Sequence, residues 1–488
     1  MAQSVLESAA VPPRTSPLVE ILESARAAFI HDGIPDLDTR LDRLTRLGAM
    51  ITDCCDELAV AVDQDFGTRP RYLTMTGDIG AVLLEIAELR QQLPKWMKTE
   101  RPHRWRRIVG LDQSVRYDPL GVIGIAAPWN FPIQLSLTPT AGALAAGNRV
   151  MLRPSSMTQR TSAVLARHVP HYFEPEEFTI ATRADGPGAA FSKLDFDGFF
   201  FTGSPEVGRE VARDCAANLT PVTLELGGKN PAIVDRDADP RTAADRIARS
   251  RLTNSGQVCL CPDYVFVPQE NLDEFVAEVL ATWQSMFPAI AENDDYTSII
   301  DDDAYRRILG LISDARDHGA HVEQLIPPRE LLPDPSSRKI PPTVVTRLTS
   351  AMELERQEVF GPVLSVYGYN DLAEAIDHVN AHDHALTLYW FGPKNARFEH
   401  VVDRTRSGSV NVNDFLLNMA PGTPFGGVGA SGYGSYHGEY SYRTFSNART
   451  VAGSAMPLSS ARTISPPYSR TATTAATRGV YASRRLFR

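Results

Sequence analysis

The chain has 488 residues, 43% of them hydrophobic and 22% charged, with a formal net charge of −10 at pH 7. That length exceeds one ordinary hydrophobic core and predicts two or three domains. The acidic balance gives no footprint for nucleic acid, and no apolar run reaches the length of a membrane span, so neither partner is expected. The five cysteines (Cys54, Cys55, Cys215, Cys259, Cys261) are odd in number and lack zinc-ligand spacing, which predicts no metal centre and a reducing, cytoplasmic compartment.

The first thirty residues carry Glu7, Glu20 and Glu23 without an uninterrupted apolar core, so they do not read as a signal peptide. "SPLVEILESARAAF" reads as an amphipathic helix with Ser16 as N-cap and Pro17 at the first helical position. Leu18, Ile21, Leu22, Ala25 and Phe29 share its apolar face. Helical patterns continue to about residue 107, and "DTRLDRLTRLGAMITDCCDELAVAVDQDFG" forms one periodic stretch ending at Gly67.

From residue 113 the texture changes. "QSVRYDPLGVIGIAAPWNFP" holds two strand-like runs broken by Pro119 and Gly121. A small-residue helix, a Gly-Asn turn and a buried strand from Arg149 to Arg153 follow. The helix "DPRTAADRIARSRLTNSG", the strand "DYVFVP" and the helix "NLDEFVAEVLATWQSM" extend the alternation, which runs to about residue 408. Strands alternating with helices predict an α/β fold with parallel sheets. "SGSVNVND" reads as a further strand, and the glycine-rich "PGTPFGGVGASGYGSYHG" is too long a loop to be idle in a compact domain. No acidic residue follows Glu439, and residues 462–488 contain six arginines among Ser, Thr, Ala and Pro. That composition predicts a disordered tail, with weak attraction to anionic surfaces as its functional alternative.

Five motifs carry possible chemistry. In "PWNFP" (128–132) two prolines pin the backbone around Asn130, whose amide could donate to a developing oxyanion; the same residues also make an ordinary Pro-rich turn. In "FFFTGSPEVG" (199–208) an apolar strand feeds Gly203, and Ser204 can cap a helix starting at Pro205. Its N–H groups and dipole suit a pyrophosphate, with Gly203 and Gly208 allowing close backbone approach, but a plain strand–helix turn fits equally well. "LELGGK" (224–229) puts Glu225 in an apolar strand, where burial would raise its pKa toward that of a general base, unless backbone amides satisfy it. "GQVC" (256–259) ends in Cys259, a nucleophile or a packed thiol. "EVFGPVL" (358–364) offers Glu358 for ribose hydroxyls and Phe360 for a flat ring, or is simply a loop entering a strand.

Taken together and in this order, the five motifs resemble those of the aldehyde dehydrogenase superfamily over about residues 40–450, with Glu225 preceding Cys259 by 34 residues as that pattern expects. "DFG", "LPKWMK", "DDYTSII" and "PFGGVGASGYGSYHG" resemble the class 3 branch. "DFGTRPR" to "WMKTERPHR" and "GQVCLCPDYVFVP" are similar to coniferyl-aldehyde dehydrogenases.

The resemblance implies NAD(P)-dependent oxidation of an apolar or aromatic aldehyde to its acid. Cys259 would be the nucleophile, activated by electropositive surroundings, Asn130 the oxyanion donor and Glu225 the base that activates water. Trp129, Arg153, Ser155, Gly203, Ser204, Gly208, Leu226, Glu358 and Phe360 would contact NAD or NADP, and Cys261 would line the substrate tunnel. The family's Lys-Pro-Ser-Glu is replaced here by Arg153-Pro154-Ser155-Ser156, which suggests tolerance of, or preference for, NADP through a guanidinium facing its phosphate.

The implied architecture is three-part. A Rossmann-type cofactor domain comprises residues 1–111 and 119–223, a catalytic α/β domain 224–409, and a β oligomerisation arm 112–118 and 410–455, followed by the basic tail 456–488. The arm implies a homodimer. Two rival readings remain at this stage: a coenzyme A-acylating or other semialdehyde dehydrogenase, against which Glu225 argues, and an inactive binding or structural relative, which the altered cofactor motif keeps open.

Overall fold

The computed structural model describes residues 16–456 and 464–486. The chain divides into two compact units, one drawn from residues 1–97 and 118–447, the other from 98–117 and 448–488.

The first unit opens on the helix Pro17–Asp32, capped by Ser16, whose Oγ accepts from the Val19 N–H at 3.3 Å. Leu18, Leu22 and Ala25 are buried on its inner face. The long periodic stretch is two helices, Leu37–Asp53 and Cys55–Phe66, interrupted at Cys54 (φ −110°, ψ 14°). Cys54 stays buried, with its thiol donating to the Met50 carbonyl at 3.0 Å. Apolar periodicity reports the buried face, which runs on across the break, and so it conceals the kink.

Strand β1 (Leu111–Pro119) precedes a six-stranded sheet made of β2 (Val122–Ala126), β3 (Arg149–Arg153), β4 (Phe178–Ile180), β5 (Gly198–Gly203), β6 (Val222–Leu226) and one later strand. β4, β3, β2, β5 and β6 lie side by side in that order and all pair parallel. The chain therefore winds outward in both directions from β2, and the order reverses between β2 and β5. Such a switch point opens a crevice beyond the carboxyl ends of the two strands. The expected small-residue helix spans Gln134–Ala146 and is buried along its whole length.

The second sheet has seven strands: β7 (Asn230–Val234), β8 (Pro262–Pro268), β9 (His321–Gln324), β10 (Thr343–Thr346), β11 (Val363–Tyr369), β12 (Ala385–Phe391) and β13 (Ser407–Val412), in the order β13-β12-β7-β8-β11-β10-β9. All pairs are parallel except β9 with β10. β7, β8 and β12 are buried throughout because both faces are covered. Ala232, Val265 and Phe391 pack on Ala244, Ile247 and Trp283 of one pair of helices, while Ile233, Phe266 and Trp390 pack with Ile376 and Val401 of another. β6 runs through Gly227-Gly228 straight into β7, so the carboxyl ends of the first sheet's strands meet the amino ends of the second's.

Two boundaries differ from expectation. Residues 410–412 finish β13 and β14 (Gly432–Tyr433) joins the six-stranded sheet antiparallel to β6, so the part of the expected arm that pairs with β1 is β15 (Ser446–Ser454). A two-residue strand in a glycine-rich loop has no alternation to read, and its partner is more than two hundred residues upstream. In the tail, residues 470–483 form a helix rather than a disordered segment. Ser469 caps it, accepting from the Ala472 N–H at 3.1 Å, and its alanines favour local helix without tertiary burial. Residues 457–463 and 487–488 of the expected tail lie outside the described residues, as do 1–15 of the expected cofactor domain.

Candidate active site

The crevice at the switch point is a cavity of about 620 Å³, within the roughly 300–1,000 Å³ typical of small-molecule sites. Residues just beyond β2 (Pro128, Trp129, Asn130) and at the end of β5 (Gly203, Ser204) line one side. Residues just before β8, β11 and β12 (Cys259, Glu358, Phe360, His382) line the other, and Glu225 and Leu226 join the two. Three of the expected catalytic groups, Asn130, Glu225 and Cys259, thus open on one cavity.

The loop carrying Cys259 is held in an unusual backbone. Asn254 (φ 51°, ψ 33°) and Ser255 (φ 52°, ψ 37°) are both left-handed, and Gly256 follows at φ 77°. A side chain at 256 would come within 2.1 Å of the Gly361 carbonyl oxygen, so only glycine fits. Gln257 ties the turn down: its Nε2 donates to the Asn254 and Ser298 carbonyls at 3.0 and 3.1 Å, and its Oε1 accepts from the Ile300 N–H at 3.0 Å. Asn230, at the start of β7, donates from Nδ2 to the carbonyls of Cys259 (2.7 Å) and Cys261 (3.1 Å). Strain of this kind persists only where its surroundings over-determine it, and it concentrates at functional sites.

Asn130 is 4% exposed and donates from Nδ2 to the Gln257 carbonyl at 3.2 Å. The helix after it begins on Asp78, which accepts from the Ile133 and Gln134 N–H groups at 3.1 and 3.0 Å. Arg69, wholly buried, pairs with Asp78 at 2.8 Å and stacks on Phe66 and Phe131. Sequence reasoning missed this pair, because neither residue carries a local signal of what it will meet.

The surroundings of Cys259 are not electropositive, contrary to expectation. Its thiol is pushed well above the usual range by burial, and next by the neighbouring carboxyls of Glu358 and Glu225. Glu225 is 3% exposed, neither carboxyl oxygen has a hydrogen-bond partner among the described residues, and burial raises its pKa well above that of an ordinary carboxylate. Glu358 is pushed up to about 8 by burial and by Asp263, an effect that Arg251, Lys229 and Arg307 oppose. Each of the three groups is thus biased toward its protonated form.

The segment around Glu358 has its own frame. Lys229 donates from Nζ to the Leu354 and Gln357 carbonyls at 2.8 and 3.1 Å and pairs with Asp263. Asp263 in turn accepts from the Val359 N–H at 3.0 Å, and Arg307 donates to the Glu358 and Val359 carbonyls. Phe360 (φ 47°) meets the edge of Trp129 at 5.4 Å between ring centres. A side chain at Gly227 would stand 2.4 Å from Glu358 Oε2, so this strand–strand joint can approach the carboxylate only as glycine.

Other expected residues lie elsewhere. Arg153 does not line this cavity; it donates to the Gly186 carbonyl at 2.9 Å and to the Thr182 carbonyl. Ser155 is also off the cavity, its Oγ accepting from the Met157 N–H at 3.2 Å. Gly208 brings its helix against Leu226, which a side chain there would strike at 2.6 Å, so the close approach is helix to strand rather than protein to ligand. Cys261 does not line the cavity; it is 3% exposed and its thiol donates to the Ser250 carbonyl at 3.2 Å.

The residues that remain fit a dinucleotide. Ser204 and Pro205 present the open N-terminus of the helix Pro205–Asn218 to the cavity, Glu358 offers a carboxyl to hydroxyl groups, and Phe360 offers a ring face. The aldehyde dehydrogenase family pattern matches residues 14–451. The chain belongs to the aldehyde dehydrogenase family. It is 42% identical over 449 residues to the coniferyl aldehyde dehydrogenase of Pseudomonas sp., covering 92% of this chain and 93% of the relative. It is 32% identical to the dimeric NADP-preferring aldehyde dehydrogenase of Rattus norvegicus, covering 89% and 94%. The substrate-bound structure of Staphylococcus aureus AldH superposes with a TM-score of 0.85 at 30% identity, covering 92% of this chain and 96% of that one. Like its family, this aldehyde dehydrogenase is an enzyme that oxidises an aldehyde to the acid with NAD or NADP. Among the described residues no helix is long and apolar enough to cross a membrane.

Proposed function

We propose that Cys259 is the nucleophile of this dehydrogenase, with Asn130 as oxyanion donor and Glu225 as general base. The observation that carries the reading is the opening of all three on one cavity with Glu358 and Phe360. Sγ of Cys259 adds to the aldehyde carbon, its proton passing to a carboxylate, and the carbonyl oxygen becomes an alkoxide held by the Asn130 amide and the Cys259 N–H. A dinucleotide held by Ser204, Glu358 and Phe360 would supply the hydride acceptor and a positive charge beside this acidic pocket. As the C–H bond breaks, the alkoxide re-forms a carbonyl and leaves a thioester on Cys259. Glu225 then takes a proton from water, hydroxide adds to the thioester carbon, the C–S bond breaks, and sulfur leaves with the proton that Glu225 returns.

Cofactor contacts fall to Trp129, Gly203, Ser204, Leu226, Glu358 and Phe360. Arg153 is bound to the Thr182 and Gly186 carbonyls, so we do not assign preference for NADP to its charge. The substrate we propose is an aromatic aldehyde of the coniferyl type. Its support is the name of the similar Pseudomonas enzyme and the cavity wall of Trp129, Leu135, Phe425 and Tyr436. A homodimer is proposed from the exposed β15 and from the description of the rat relative as dimeric, and a cytoplasmic location from five free thiols.

The test is a steady-state panel of aldehydes, from short aliphatic to cinnamyl, with each cofactor. Acid formation without coenzyme A, with kcat/KM highest for cinnamyl aldehydes, supports the reading. A strict need for coenzyme A, or full turnover by Cys259→Ser, refutes it.

A further inference from the structure

Three of the segments that line the cavity meet at one buried carboxylate. Asp263 is 1% exposed and is the second residue of β8. It stands four residues after Cys259, and its Oδ2 pairs with Lys229, which stands four residues after Glu225. Its Oδ1 accepts from the N–H of Val359, the neighbour of Glu358, at 3.0 Å. Arg251 is also 1% exposed and lies 3.6 Å from Asp263 Oδ1. It donates to the Pro262 carbonyl at 3.0 Å and to the Gly361 carbonyl at 2.5 Å.

Residues 357–362 have no helix or strand to hold them. Charged side chains take that place. The Gln357 carbonyl accepts from Lys229, those of Glu358 and Val359 from Arg307, and that of Gly361 from Arg251, while the Val359 N–H donates to Asp263. Asp263 is the carboxylate that Lys229 and Arg251 share, so its charge settles two buried cations against this segment. The Cys259 turn has ties of its own, from Gln257 to the Ser298 carbonyl and from Asn230 to the Cys259 carbonyl. The two sides of the cavity are thus fixed by different groups.

We propose that Asp263 is a positioning residue for hydride transfer: it holds the segment bearing Glu358 and Phe360 in register with Cys259. The proposal rests on Cys259 as nucleophile and on Glu358 and Phe360 as cofactor contacts. Asp263 does not line the cavity and acts only through that segment. Hydride passes between atoms about 3–3.5 Å apart, and a misplacement of about 1 Å can cost about 100-fold. Thioester hydrolysis moves no hydride and uses Cys259, Asn130 and Glu225, so it does not depend on Asp263.

The test compares two reactions of the full-length protein and its Asp263→Asn and Asp263→Ala variants. One is stopped-flow formation of reduced cofactor from cinnamaldehyde and from cinnamaldehyde deuterated at the carbonyl carbon, at saturating cofactor and normalised to the burst. The other is hydrolysis of p-nitrophenyl acetate without cofactor, which acylates Cys259 directly. Hydride transfer should slow by about 10- to 100-fold, more for Ala than for Asn, which keeps an acceptor for the Val359 N–H, and the deuterium effect should grow. Ester hydrolysis should stay at the wild-type rate. Unchanged hydride transfer, or an equal loss in both reactions, would overturn the proposal. Lys229→Gln, which loosens the same segment, should act in the same sense and decides the matter if the Asp263 variants do not fold. Ester or aldehyde turnover that survives Cys259→Ser would remove the nucleophile and this proposal with it. An inactive Cys259→Ser beside an Asp263→Asn of normal hydride transfer would remove the role of Asp263 alone.

Discussion

Asn130 and Asn254 lock together the two loops that meet at Cys259. The Asn254 amide donates to the Asn130 carbonyl at 3.1 Å, and the amides of both residues donate to one oxygen, the Gln257 carbonyl, each at 3.2 Å. The proposed oxyanion donor therefore rests on a neutral acceptor that an alkoxide would outcompete, and its position is fixed before substrate arrives.

Replacing Asn130 with Ala removes that donor and leaves the cavity intact. The expected loss is about 10²- to 10³-fold in kcat with cofactor affinity retained, measured by steady-state kinetics beside cofactor titration. A variant at wild-type kcat would remove Asn130 from the mechanism.

Glu225→Gln separates the two halves of the reaction. Addition and hydride loss should still give a burst of reduced cofactor near one equivalent per site, followed by a steady state slower by about 10²-fold or more, because water lacks its base. In the wild type, burial keeps Glu225 protonated well above the usual carboxylate range, so hydrolysis should quicken as pH rises and the carboxylate forms. Stopped-flow absorbance against pH reads both effects.

Glu358 links pH to stability. Its carboxyl is raised from 4.5 to about 8 in the folded protein, so between those values the folded state holds a proton that the unfolded chain has lost. The contribution is complete below about pH 4.5 and disappears as pH rises through about 8. Glu358→Gln should flatten this part of the Tm–pH curve, and an unchanged curve would count against the assigned shift.

Gly256→Ala places a methyl group against the Gly361 carbonyl at a positive φ. A loss of about 1–3 kcal/mol is expected by chemical denaturation, with activity falling further than stability alone accounts for. Because the strained turn leads straight to Cys259, a silent substitution would show that the turn can relax without moving the sulfur.

Arg153→Ala tests the correction at the cofactor motif. Its guanidinium serves the carbonyls of Thr182 and Gly186, so the variant should lower Tm while the ratio of kcat/KM for NAD and NADP changes by less than about threefold, well under the 1.4 kcal/mol of a tenfold effect. A large change in that ratio would restore the phosphate-facing reading.

What was legible in the sequence is local. Apolar strands, the Ser204–Pro205 helix start, Glu225 in an apolar run and the Cys259 turn are set by neighbours a few residues away, so they can be read before folding. The pairing of Gly432 with Glu225 and the turning of Arg153 to the 182–186 backbone depend on partners dozens to hundreds of residues distant, and the Arg69–Asp78 pair, though nine residues apart, is placed by Phe131 and the Ile133 and Gln134 N–H groups more than fifty residues on. The charge around Cys259 belongs to the same class. A thiol's pKa follows from what folding brings near it, and here that is two carboxyls and little solvent, which no linear pattern records. The sequence by itself determined which groups could react; tertiary structure decided which of them face one another, because desolvation and charge act through space rather than along the chain.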